Sequence, residues 1–135
     1  MLELNRDITR AKRTGQSFVL AFVDVDGLKV TNDSLGHAAG DQVLCRVVEA
    51  LRRHLRSYDL IVRFGGDEFV CSLMDLTFVE AAKRFALIDA DLAAHRVFIT
   101  AGLAELQPDD SVEGLVARAD EALYRERGRN PATRE

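Results

Sequence analysis

A chain of 135 residues with 47% apolar and 30% charged side chains has the length and balance of one soluble globular domain, not of a disordered or fibrous chain. Its net charge of −4 and the lack of any strongly basic segment exclude a nucleic acid polymer or an anionic membrane as its main partner, while local phosphate binding stays open. The opening MLELNRDITR has no apolar core fit for a signal peptide, and no run reaches membrane-spanning length, so the expected setting is cytoplasmic.

The elements are predicted from periodicity and punctuation. Residues 3–14 carry Leu4, Ile8 and Ala11 on one helical stripe, which Thr14-Gly15 ends. SFVLAFVDVD (17–26) is apolar almost to its end, as a central strand buried on both faces should be. A short helix is expected from Gly27 to about Ser34, then a turn punctuated by Gly36 and Gly40, with Asp41 capping the next helix. That helix, 41–56, repeats Val43, Leu44, Val47, Val48, Leu51 and Leu55 at helical spacing. Strands 59–64 and 67–73 follow, joined at Gly65-Gly66, a pair suited to a tight turn with positive φ at its centre.

Thr77-Phe78-Val79-Glu80 is a capping-box pattern opening a helix whose stripe is Phe78, Ala81, Phe85, Ile88 and Leu92. A strand over 96–104 and a last helix from Asp110 or Ser111, carrying Val112, Leu115, Val116, Ala119 and Leu123, complete the order, with Pro131 beyond the end. A hairpin within alternating elements predicts one α+β domain, a mostly antiparallel sheet covered by helices. Cys45 and Cys71 lack the spacing of a metal or redox pair and are expected to act as reduced, small core hydrophobes. His54 and His95 are read as surface residues.

Charge collects where strands end. Alternation puts Asp24 and Asp26 on the face that carries Phe18, Leu20 and Phe22. A lone carboxylate there would suffer a desolvation cost of several kcal/mol, about the scale for an unpaired buried ion. The hairpin adds Asp67 and Glu68, expected on opposite faces of their strand, so one of them can approach Asp24. Carboxylate and carbonyl oxygens suit Mg²⁺, which completes its shell with water and substrate phosphates. Taken separately, either acidic pair reads better as turn caps or as partners of Arg63 and Lys29; the two pairs together bring the site reading level. Directly after Asp26, GLKVTND offers helix-start amides and Lys29, a phosphate-binding arrangement. Acids, helix start and lysine together describe a Mg²⁺–nucleotide site.

VDVDGLKVTNDSLGHAAGD, then RFGGDEF, then ADEALY resembles the GGDEF family of diguanylate cyclases over about residues 17–130. The resemblance implies the fold of class III nucleotide cyclases and polymerase palms. It also implies a reaction that joins two GTP into cyclic di-GMP with release of two pyrophosphates, in a homodimer that need only be transient. It assigns Asp24, the Val25 carbonyl and Asp67 to Mg²⁺ or Mn²⁺, with Glu68 as a further ligand or acid–base group and Asp67 as the usual acceptor of the 3′-hydroxyl proton. Gly65 and Gly66 would admit the α-phosphate. Gly27, Leu28 and Lys29 would bind the terminal phosphates, and Asn32 and Asp41 would read guanine. Taken without the motif, those last two are a turn residue and a helix cap. Arg56 and Asp59 match the family's inhibitory product-binding pair; alone they are a solvated helix end and a turn residue.

Two departures stand out. YRERGRN places Gly128-Arg129-Asn130 two residues early relative to Tyr124. Arg127 fills the place of the family's phosphate-binding lysine if register runs from Tyr124, whereas Arg125 and Arg129 keep the internal spacing. Two helical positions differ by about 200°, so the registers point in opposite directions. The family's usual opening segment is also missing, and a single catalytic domain over 1–135 is expected, whether excised or a natural short form. The alternative to an active cyclase is a catalytically impaired regulatory module that binds GTP or cyclic di-GMP.

Overall fold

The computed structural model describes residues 2–129. Its elements follow the predicted order: α1 (Leu2–Thr14), β1 (Phe18–Val25), α2 (Leu28–Leu35), α3 (His37–His54), β2 (Leu60–Arg63), β3 (Glu68–Met74), α4 (Phe78–Ala93), β4 (Ile99–Glu105) and α5 (Val112–Arg129). The strands form one sheet in the order β2-β3-β1-β4, antiparallel at each pairing.

β1 lies inside the sheet because both of its faces are apolar. Val19, Ala21, Val23 and Val25 pack with Leu44, Val47 and Leu51 of α3 and Phe85, Ile88 and Leu92 of α4. Phe18, Leu20 and Phe22 face the other way, onto Leu4 and Ile8 of α1 and Leu115 and Ala119 of α5. Each fully buried aliphatic or aromatic side chain contributes about 1.5–3 kcal/mol. Helices therefore cover both faces, and the polar ends of β1 and β3 are left at one rim.

α5 reaches that rim through a close crossing. A Cβ at Gly102 of β4 would lie 2.1 Å from the Leu123 nitrogen and 2.6 Å from the Ala119 carbonyl. Only a residue without a side chain lets α5 lie so near the sheet. The capping box of α4 forms as expected: Thr77 Oγ1 accepts from the Glu80 amide, and the Glu80 carboxylate accepts from the Thr77 amide at 2.9 Å.

Several local expectations are corrected. α3 begins at His37 with Gly36, at φ 90°, as its N-cap. Asp41 is thus in the second turn rather than capping, and Gly40 is inside the helix. The expected break at Gly40 is instead a close packing point within α3. Phe78, in the first turn of α4, is 45% exposed instead of joining the buried stripe. Cys71 is buried on β3, its thiol pushed up to about 12 by burial, whereas Cys45 is exposed. Cys45 follows Leu44 of the buried stripe, and one helical step turns a side chain about 100° away. His54 is half-buried, with Nε2 2.9 Å from Asp91 Oδ2, so it is no simple surface residue.

Candidate functional site

The Gly65-Gly66 turn is built differently from the expected primed turn. Among the described residues, the glycines with positive φ are Gly15, Gly27 and Gly36, so neither turn glycine is in that region. The loop is wider. The Phe64 amide donates to the Glu68 carbonyl at 2.8 Å, and Arg63 folds back to donate to the carbonyls of Gly65 at 3.1 Å and Gly66 at 2.8 Å. Arg63 therefore holds the turn rather than pairing with the acids.

Asp67 lies in this loop, before β3 begins at Glu68. The alternation expected of a strand does not govern it, and both acids turn inward. Asp24 pairs with Glu68 across the β1–β3 ladder, while the Val25 amide donates to the Asp67 carbonyl at 2.9 Å. One carboxylate oxygen from each of Asp24, Asp67 and Glu68 lies within 4.8 Å of the others. Asp26 behaves otherwise. It lies past the strand end, and its carboxylate accepts from Thr100 Oγ1 at 2.9 Å.

Asp24 is only 4% exposed. Burial pushes its carboxyl up to about 6, a hydrogen bond from Arg127 opposes the rise, and the nearby Asp67 charge adds to it. Arg127 Nε donates to Asp24 Oδ2 at 2.8 Å, and a terminal guanidinium nitrogen reaches the same oxygen. Asp24 Oδ1 is buried with no hydrogen-bond partner. The structure thus brings Arg127 to the acids. Arg125 instead lines a separate groove of about 600 Å³ between α4 and α5, with Phe85 and Asp89. The Arg129 side chain and Asn130 lie outside the described residues.

Next to the acids is a cleft of about 390 Å³ bounded by Leu28, Lys29 and Asn32 of α2, Asp41 of α3, and Gly66 and Asp67 of the turn. The start of α2 faces it with Gly27 as N-cap, at φ 69°, and without a side-chain cap. The first-turn amides of α2 are therefore left to other acceptors, as a phosphate site requires. Arg63, His37 and Leu44 also line the cleft, and residue-level reading gave none of them a ligand role. Leu44 was legible only as helix core. Arg63 reads in the sequence as a partner for the acids, not as a wall of the cleft.

Arg56 and Asp59 are held in a different way. Asp59 Oδ2 accepts from the Arg56 amide at 2.8 Å and lies 3.6 Å from Arg56 Nε. The Asp59 side chain is fully buried, and Arg56 stacks over Tyr58 at 4.8 Å while donating to the Met74 carbonyl. Neither is the solvated end or plain turn residue that its local sequence suggests.

The chain matches the family described as diguanylate cyclase, GGDEF domain, over residues 1–131. It is 37% identical over 132 residues to the diguanylate cyclase DgcP of Pseudomonas aeruginosa, across 90% of this chain and 20% of that protein. It is 35% identical over 140 residues to the diguanylate cyclase DosC of Escherichia coli K12, across 93% of this chain and 30% of that protein. The chain thus spans under a third of the length of these relatives. The crystal structure of the GGDEF domain of DgcB from Caulobacter crescentus, in complex with c-di-GMP, superposes with a TM-score of 0.89 at 27% identity, over 96% of this chain and 83% of that one. The active GGEEF domain of a diguanylate cyclase from Vibrio cholerae superposes with a TM-score of 0.87 at 28% identity, over 97% and 91%. With the acid rim, the cleft and the sheet order now described, this chain belongs to the GGDEF family of diguanylate cyclase domains.

Proposed function

We propose that this domain condenses two GTP molecules into cyclic di-GMP and releases two pyrophosphates. The observation that carries the reading is the convergence of the Asp24, Asp67 and Glu68 carboxylates beside a cleft lined by Lys29, Asn32 and Asp41. The donors are all oxygen, which suits Mg²⁺ or Mn²⁺, and the orphaned Asp24 Oδ1 is the atom most in need of a cation. Asp24, Asp67 and the Val25 carbonyl would hold the ion, with Glu68 as a further ligand or acid–base group. A bound divalent cation neutralises these acids and lowers the pKa of the attacking hydroxyl.

The chain's own groups do the rest. Asp41 accepts from guanine N–H groups, and the Asn32 carboxamide both donates and accepts. The amides at Gly27, Leu28 and Lys29, with the Lys29 charge, hold the terminal phosphates. Gly65 and Gly66 leave the α-phosphate room to approach the turn. Arg127 supplies positive charge to the phosphates from the α5 end. Each domain binds one GTP, so two domains must face each other, and a transient homodimer suffices. The 3′-oxygen of one nucleotide attacks the α-phosphorus of the other in line. A new P–O bond forms as the bond to pyrophosphate breaks, and the hydroxyl proton passes to Asp67. The same step in the opposite sense closes the ring. Orientation alone can supply about 7–11 kcal/mol of such a barrier. Product returns to the Arg56–Asp59 pair as an inhibitor. A GTP substrate fits the cytoplasmic setting expected from the sequence.

The test is incubation with GTP and Mg²⁺ at high protein concentration, followed by detection of pyrophosphate and cyclic di-GMP in a 2:1 ratio, as two condensations per product require. Saturable GTP binding without product would leave a regulatory module instead.

A further inference from the structure

Gly40 is buried inside α3, where a glycine weakens a helix and normally has a packing reason. The reason is Asn32. A Cβ built on Gly40 would lie 1.8 Å from Asn32 Oδ1, 2.8 Å from its Cγ and 3.4 Å from its Nδ2. The carboxamide of α2 thus rests in the space that a side chain at position 40 would fill. Asp41 follows directly, and both Asn32 and Asp41 face the same cleft. The backbone between them is tied down: the Gly36 amide donates to the Asn32 carbonyl at 3.0 Å, and the Gly40 amide to the Gly36 carbonyl at 3.3 Å.

We infer that Gly40 is a positioning residue for guanine recognition, acting through Asn32. The inference rests on the base-reading role proposed above for Asn32 and Asp41. The steric argument is specific because the atoms in conflict are the end of a flexible side chain. Adding a methyl at position 40 need not move either helix; rotation of the Asn32 side chain relieves the overlap. The carboxamide then leaves the place beside Asp41 from which both can contact one base edge. Alanine is also the better helix former, so the fold should lose nothing while base recognition suffers. Stability and recognition move apart, which a merely structural glycine would not produce.

The experiment measures binding of a non-reacting GTP analogue, guanosine 5′-(α,β-methylene)triphosphate, and of its adenosine counterpart by calorimetry, alongside thermal melting. Gly40→Ala is expected to melt at or above the wild-type temperature and to bind the guanosine analogue about tenfold more weakly, the scale of one lost hydrogen bond. Binding of the adenosine analogue should stay unchanged. Asn32→Ala should show the same loss, and the Gly40→Ala/Asn32→Ala double variant no more than either, because the two act as one unit. If Asn32→Ala weakens guanosine binding and Gly40→Ala does not, the inference fails and the base-reading role stands. If Asn32→Ala binds as wild type, that role fails and takes the inference with it. Additive losses in the double variant, or a lower melting temperature in Gly40→Ala, would also overturn it. In either case Gly40 would be acting elsewhere than through the carboxamide.

Discussion

Asp24 and Asp59 are the buried aspartates among the described residues, 4% and 7% exposed. Each pairs with an arginine through Oδ2 and leaves Oδ1 buried without a hydrogen-bond partner. There the likeness ends. Asp59 is served locally, by the amide and guanidinium of Arg56 three residues before it. Among the described residues it belongs to no group of acids placed to share a metal ion. Asp24 is served by Arg127 from the far end of the chain and has two further carboxylates beside it. A local pair reads as a clamp that ties the end of α3 to the Met74 carbonyl at the end of β3. A remote arginine over three acids reads as a charge balance that a cation and phosphates can replace. Burial of an acid alone does not distinguish structure from function; its neighbours do.

The largest expected effect breaks the comparison at Asp24. Asp24→Asn should lower turnover of GTP to cyclic di-GMP by at least ~100-fold, the scale of losing one electrostatic partner of a charged transition state, while the fold persists. Unchanged turnover in that variant would remove the metal-holding role of Asp24.

The next effect falls on stability instead. Asp59→Ala strands Arg56 beside a buried wall, and the cost of breaking such a pair is about 2–3 kcal/mol when one partner is part-exposed. Thermal melting should fall by roughly 10 °C. Arg56→Ala should spare turnover, cost less stability because Asp59 keeps the Arg56 amide, and relieve inhibition by added cyclic di-GMP. Inhibition that persists at wild-type strength in Arg56→Ala would reduce the pair to a clamp alone.

How much of this was legible before the structure follows from the same two regions. The element order and the stripes of α1, α3 and α5 could be read because a helix repeats its buried side every 3.6 residues and a strand every two. That one acid of the hairpin meets Asp24 could be read from two strands ending in acids, and the family resemblance pointed to Asp67. What lay beyond reach depended on single backbone steps. Asp67 joins the acids because β3 starts one residue later, and Arg63 closes the turn through side-chain-to-backbone bonds that no periodicity encodes. The two α5 registers differed by a rotation the sequence left open, and the crossing at Gly102 sets which arginine meets Asp24. Gly40 and Gly36 look alike as letters, yet one packs a helix pair and the other starts a helix.

A pH measurement sharpens the Asp24 side. With its carboxyl raised from an ordinary 3.8 to about 6 by burial, the folded metal-free chain holds a proton between those values that the unfolded chain has released. Stability contributed by that proton is present at the acid end and lost as pH rises through about 6. Urea midpoints measured in a chelator at about pH 4.5 and pH 7 should therefore fall with pH more steeply in wild type than in Asp24→Asn. The difference between the chains isolates Asp24, since other acids titrate in the same window. Equal slopes would mean that Arg127 already offsets the burial.

The smallest effect is also the most local. Cys71 is fully buried, its thiol held at about 12 by burial with a further push from Asp59, whereas Cys45 is exposed. A thiol reagent at neutral pH should modify Cys45 at once and Cys71 only through opening of the sheet, because the thiolate is the reactive form. Cys71 pairs with Ile61 across the β2–β3 ladder, just past the clamp. Loosening the clamp by Asp59→Ala should speed Cys71 modification by about the factor by which local stability drops, roughly 30–150-fold for about 2–3 kcal/mol. Asp24→Asn, on β1 beside the opposite end of β3, should leave that rate near wild type. If both variants accelerate it equally, the sheet opens as one unit and the two buried aspartates do not guard separate ends of it.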